Sequence, residues 1–224
     1  MFLRYLAAEG RCRPGLEQAL ISPACWAKQA LPRGLSSQEV QKILDRLPAT
    51  PAGIRDRAML LLMIRLGLRA SDVAAMRLGD LCFRTATLRV SGKGRREVRL
   101  PLPQDVGDSI LDYLRSGRPE SRCEQLFLRL PASFPAAERR GVGRRGAQWA
   151  ARSALNRGGI ERPTRGSHVL RHTAACQMLR AGVNLEGIAE VLRHRSVETT
   201  GIYAKVDVAA LMEIAQPWPE VAPC

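Results

Sequence analysis

Between Ala86 and Leu102 the apolar side chains alternate, first Ala86, Leu88 and Val90, then Val98, Leu100 and Leu102, around a turn reading Ser91-Gly92-Lys93-Gly94-Arg95-Arg96. A period of two sends successive side chains to opposite faces, so this stretch predicts a β-hairpin with a glycine-flanked tip that carries Lys93. The other apolar runs keep helical spacing. With 224 residues, 46% of them hydrophobic, the chain has ample material for a core. The expected fold is mainly α with a small antiparallel β-sheet or hairpin.

The helices announce their ends. Ser36 and Ser37 followed by Glu39 propose an N-cap for a helix over Val40 to Leu47, and Thr50-Pro51 a second start. Arg55 to Leu66 is the strongest buried helix, ended by Gly67. A new helix over Leu68 to Met76 carries Arg69 and Asp72 three apart in its first turn, where the acid can hold the arginine; a surface ion pair is the plain alternative. Helices are further expected at Pro103 to Ser116, Gln148 to Arg157 and Val208 to Ala215, with a loop from Phe134 to Arg145. Ahead of Gly34 stand one short helix, Phe2 to Glu9, and then Pro14, Pro23 and Pro32, which interrupt any long element.

Charge narrows the partner. Lys+Arg total 35 against 21 Asp+Glu, a formal +14 that favours a phosphate-rich partner, nucleic acid first, although a chain simply rich in arginine fits the same number. The six cysteines are scattered singly with no zinc spacing, as expected of a reduced cytoplasmic protein. The longest apolar run, Ala58 to Leu68, is interrupted by Arg65 and falls short of the roughly 20 residues of a membrane-spanning helix. The N-terminus lacks the apolar stretch and cleavage site of a signal peptide, so neither membrane nor export is expected.

All three histidines lie between His168 and His194. His168 and Arg171 project together from the start of a helix whose apolar residues are Val169, Leu170, Ala174, Ala175, Met178 and Leu179. A second helix, about Leu185 to Arg193, delivers His194, and Tyr203 follows in a small, polar context. Arginine offers a planar fork to non-bridging phosphate oxygens, histidine a proton donor or acceptor near neutrality, and a tyrosine hydroxyl a covalent nucleophile. Together they suit phosphoryl transfer. His172 points elsewhere on the helix and reads as structural.

Five dispersed boxes now stand in order: Leu66-Gly67-Leu68-Arg69-Ala70-Ser71-Asp72, Gly92-Lys93-Gly94, His168-Val169-Leu170-Arg171-His172-Thr173, Leu192-Arg193-His194-Arg195-Ser196 and Thr200-Gly201-Ile202-Tyr203. In residues, order and spacing the chain resembles the tyrosine recombinases, the phage-integrase family, over about Ser36 to Trp218. The resemblance implies the tyrosine recombinase catalytic-domain fold at 34–216, a remnant of the N-terminal core-binding domain and linker at 1–33, and a tail at 217–224. It implies that Tyr203 attacks the scissile phosphate to give a 3′-phosphotyrosyl link while Arg69, Arg171 and His194 bind the non-bridging oxygens. Lys93 would protonate the leaving 5′-oxygen, His168 would assist proton transfer at the tyrosine, and Asp72 would orient its neighbours. Neither metal nor other cofactor is implied. The implied partners are double-stranded DNA and further copies of the chain, as a tetramer in which the helix after Tyr203 docks on a neighbour. Arg95, Arg96 and Arg195 read as DNA-backbone contacts or solvated charges.

Two departures stand out. The box before the second histidine usually reads Leu-Gly-His, and here Arg193 takes the glycine position; a left-handed arginine costs on the order of 1 kcal/mol. Only 33 residues precede Gly34, where family members carry a helical DNA-binding domain. The leading function is site-specific cleavage and rejoining of DNA. The alternatives are a truncated DNA-binding remnant of a mobile-element integrase and a nicking-closing enzyme resembling the type IB topoisomerases.

Overall fold

A computed structural model describes residues 2–11, 13, 34–91, 97–130, 140–161 and 166–193. The expectations for Lys93, Arg95, Arg96, His194, Arg195, Tyr203 and the helix at 208–215 lie outside these residues. The chain divides into two compact units, Met1–Leu31 and Pro32–Cys224. In the first, helix α1 (Phe2–Ala8) ends at a left-handed Gly10, with the Arg11 N–H reaching back to the Leu6 carbonyl at 2.8 Å.

The second unit begins with the capping box that Ser36 and Glu39 predict. The Ser36 hydroxyl accepts from the Glu39 N–H at 3.1 Å, and the Glu39 carboxylate accepts from the Ser36 N–H at 2.8 Å. Helix α2 (Ser37–Asp45) then buries Val40, Ile43 and Leu44. Helix α3 (Pro51–Arg65) starts where Thr50-Pro51 says it should, the Thr50 hydroxyl accepting from the Gly53 N–H at 3.2 Å. It is apolar on nearly every side because neighbours cover nearly every side. Packed on it are α4 (Ala70–Ala75), α5 (Gln104–Asp112) with its one-turn π-helical extension Tyr113–Gly117, α6 (Gly143–Arg157) and α7 (Ser167–Arg180).

A three-stranded antiparallel sheet, β1 (Leu81–Cys82), β2 (Thr87–Ser91) and β3 (Glu97–Pro101), packs Leu88, Val90 and Leu100 into the same core. The hairpin register pairs Leu88 with Leu100 and Val90 with Val98, as the alternation predicts. Strand β1 was not expected; two residues are too short for alternation to register. Helix α6 begins before the expected Gln148, so the loop expected to run to Arg145 ends sooner. Arg144 and Arg145 of its first turn are exposed and leave no apolar mark on the pattern.

Helix α8 (Leu185–Leu192) is capped by Asn184, whose side-chain oxygen accepts from the Gly187 N–H at 2.8 Å. It packs on α7 through a small cluster of Ala175, Cys176, Ile188 and Leu192. No helix among the described residues is long and apolar enough to cross a membrane.

Candidate active site

The site is built where two helices end. Helix α3 stops at Gly67, whose φ of +60° is the left-handed region open to glycine. A Cβ there would stand 2.3 Å from Leu192 Cδ2 and 3.7 Å from Arg171 Cγ. Glycine is thus needed twice, for its backbone and for the close approach of α7 and α8. The Gly67 carbonyl accepts from one Arg171 amine, and the Leu192 carbonyl at the end of α8 accepts from the other. Arg171 is only 8% exposed. The negative ends of two helix dipoles meet at its guanidinium and offset the loss of water around it.

The next carbonyl along, that of Arg193, accepts from the Arg69 guanidinium at 3.3 Å. Two guanidinium groups therefore dock on consecutive peptide carbonyls, Leu192 and Arg193, at the residue that leads into His194. Arg69 is exposed and sits at the N-cap of α4. The spacing predicts that Asp72 holds Arg69. It does so through the main chain, accepting from the Arg69 N–H at 3.1 Å. Its charge goes elsewhere: the Asp72 carboxylate is ion-paired with Arg193, 121 residues away in sequence. Arg193 has φ 54° and ψ 50°, the left-handed turn expected of the glycine it replaces.

His168 lies one turn before Arg171, exposed, and lines a cleft of about 310 Å³ with Ser167 and, from α6, Arg145, Gln148, Trp149 and Arg152. Trp149 is 60% exposed. These four α6 residues were missed as site candidates. Their i, i+3, i+4, i+7 spacing was a signal, but placing Arg145 in a loop broke the face apart. Further along α7, burial pushes the His172 imidazole below its ordinary value, with the positive charges of His168 and Arg171 adding to the effect. Among the described residues no group of three or more His, Cys, Asp or Glu side chains is arranged to hold a metal ion.

Residues 33–209 match the phage integrase family. The chain belongs to that family. This integrase-family chain is 43% identical over 220 residues to the Sinorhizobium fredii protein named "Putative integrase/recombinase y4rA", covering 97% of the chain and 52% of that protein. It is 30% identical to the tyrosine recombinase XerC of Mannheimia succiniciproducens, over 95% of the chain and 69% of the relative. Its fold matches the XerH site-specific recombinase solved with palindromic difH substrate as a post-cleavage complex, with a TM-score of 0.68 at 20% identity, covering 86% of the chain and 55% of that structure. The chain spans about half the length of the Sinorhizobium fredii relative. The tyrosine recombinase fold expected from the sequence is thus the one found.

Proposed function

We propose that this integrase-family chain carries the catalytic chemistry of a site-specific DNA recombinase. The observation that carries the reading is the docking of Arg69 and Arg171 on consecutive carbonyls at the end of α8. Carbonyl dipoles hold a guanidinium in a fixed orientation, and an arginine has five N–H donors to divide between protein and ligand. A phosphodiester bound there meets two cationic forks, and its transition state needs such fixed charge more than any other help.

In the reaction proposed, the Tyr203 oxygen forms a bond to phosphorus as the bond to the 5′-oxygen breaks. The tyrosine proton passes to His168 or solvent, and Lys93 supplies a proton to the leaving oxygen. His194 adds a hydrogen bond to a non-bridging oxygen. Attack by a second 5′-hydroxyl on the phosphotyrosine reverses these steps and rejoins the DNA, so one ester is exchanged for another with no outside energy source. Duplex DNA is the proposed substrate, supported by the +14 charge and by the basic, Trp-bearing α6 face beside His168. Arg95, Arg96 and Arg195 are proposed as further DNA-backbone contacts, a tetramer on two duplexes as the working assembly, and the cytoplasm as its compartment. Among the described residues, Cys82 and Cys123 are free thiols, which suits a reducing environment.

The test is a nicked suicide duplex incubated with the purified chain and run on a denaturing gel. A covalent adduct is expected, and none from Tyr203→Phe. A chain that binds the duplex but leaves no adduct on any nicked site tried would overturn the reading.

A further inference from the structure

We infer that Arg193 is a positioning residue for this site, a tether that its side chain supplies and a glycine at the same position could not. The inference rests on the recombinase reading above. Three contacts radiate from Arg193. Its guanidinium is ion-paired with Asp72, in the first turn of α4. It also donates to the Ser91 carbonyl at 3.5 Å, at the end of β2 and immediately before the segment that carries Lys93. Its own carbonyl receives Arg69 at 3.3 Å.

The side chain is 9% exposed and that of Asp72 13%, so the pair is shielded from water and salt. A planar fork with acceptors on two different elements fixes the distance between them. The single point charge of a lysine cannot span both. Asp72 in turn accepts from the Arg69 N–H, which closes a loop: Arg193 carbonyl to Arg69 side chain, Arg69 main chain to Asp72, Asp72 to the Arg193 guanidinium. With its left-handed backbone, Arg193 presents its carbonyl to the Arg69 side chain and its own side chain to Asp72. Arg193 thereby ties together the start of α4, the end of β2 and the end of α8.

The experiment pairs hydrogen exchange with single-turnover cleavage of the nicked duplex, using Arg193→Gly, Arg193→Lys, Asp72→Asn and the Gly/Asn double variant. In Arg193→Gly, exchange at 69–76 and 87–101 should speed up while that of α3 stays unchanged. The cleavage rate at saturating DNA should fall by about tenfold or more with DNA affinity within about twofold, because the loss is one of alignment rather than binding. Arg193→Lys should fold and recover part of the rate. The double variant should be no slower than the slower single, since both remove one link.

Cleavage at the wild-type rate by Arg193→Gly overturns the inference, whether or not exchange has changed, and so do losses that simply multiply in the double variant. If the wild-type chain forms no adduct, it is the recombinase reading that fails. Exchange then decides the tether alone, and unchanged protection at both segments sinks it.

Discussion

Arg55 in the core and Arg171 at the end of α8 are equally buried, each 8% exposed, yet different elements anchor them. Arg55 lies against a carboxylate, with Nη2 and Nε donating to Asp56 at 2.6 and 2.9 Å and Nη1 donating to the Leu128 carbonyl at 3.0 Å. Burial pushes the Asp56 carboxyl up even with Arg55 beside it, a sign that the pair is a cost the core bears. Arg171 instead donates to the main-chain carbonyls of Gly67 and Leu192. A carboxylate cancels a guanidinium's charge, and a carbonyl only orients it. The first arrangement places the guanidinium against a carboxylate, and the second fixes it to the ends of α3 and α8.

The comparison can be broken most forcefully in the core. Asp56→Ala should destabilise the chain by about 3–5 kcal/mol by leaving Arg55 buried against a void, whereas replacing both residues with apolar ones should cost far less. Urea unfolding reads the difference, and a single-variant loss under about 1 kcal/mol would show the core pair to be solvated. Next comes Arg171→Lys, expected to slow single-turnover cleavage about 10²- to 10³-fold with a smaller loss of stability, the range seen when one fixed donor to a developing charge is removed. A loss of stability with cleavage intact would put Arg171 in the same class as Arg55.

Gly67→Ala tests the seam itself. The left-handed backbone alone should cost about 1–2 kcal/mol, and the Cβ must displace Leu192. Thermal unfolding and the cleavage rate should both fall. Loss of thermal stability alone would mean that the helix ends can separate without disturbing the arginines.

The smallest effect is on pH. The folded His172 imidazole lies below its unfolded value, so the unfolded chain binds more protons as pH falls through the region just under about 6.5, and stability rises with pH across that window. His172→Gln should flatten that rise in urea midpoints measured from pH 5 to 7, and an unaltered slope would assign it to other groups.

Local chemistry was legible along the chain. The Ser36/Glu39 box, Thr50-Pro51 and the 86–102 alternation each work within a few residues, and each element formed where its signal stood. The His168/Arg171 spacing likewise survived, because α7 spans both. What the spacing of Arg69 and Asp72 could not reveal is that the carboxylate reserves its side-chain ion pair for Arg193, a partner from a distant helix. Nor could the left-handed penalty read at Arg193 disclose the contacts that offset it.

Periodicity, caps and turn residues act between neighbours, and so the amino-acid order determined the described helices and the hairpin and marked the candidate side chains. Which carbonyls those side chains rest on depends on where α3 and α8 end relative to one another. That is decided by the packing of Gly67 against Leu192, a contact between residues far apart in the chain, and it exists only once the helices have come together.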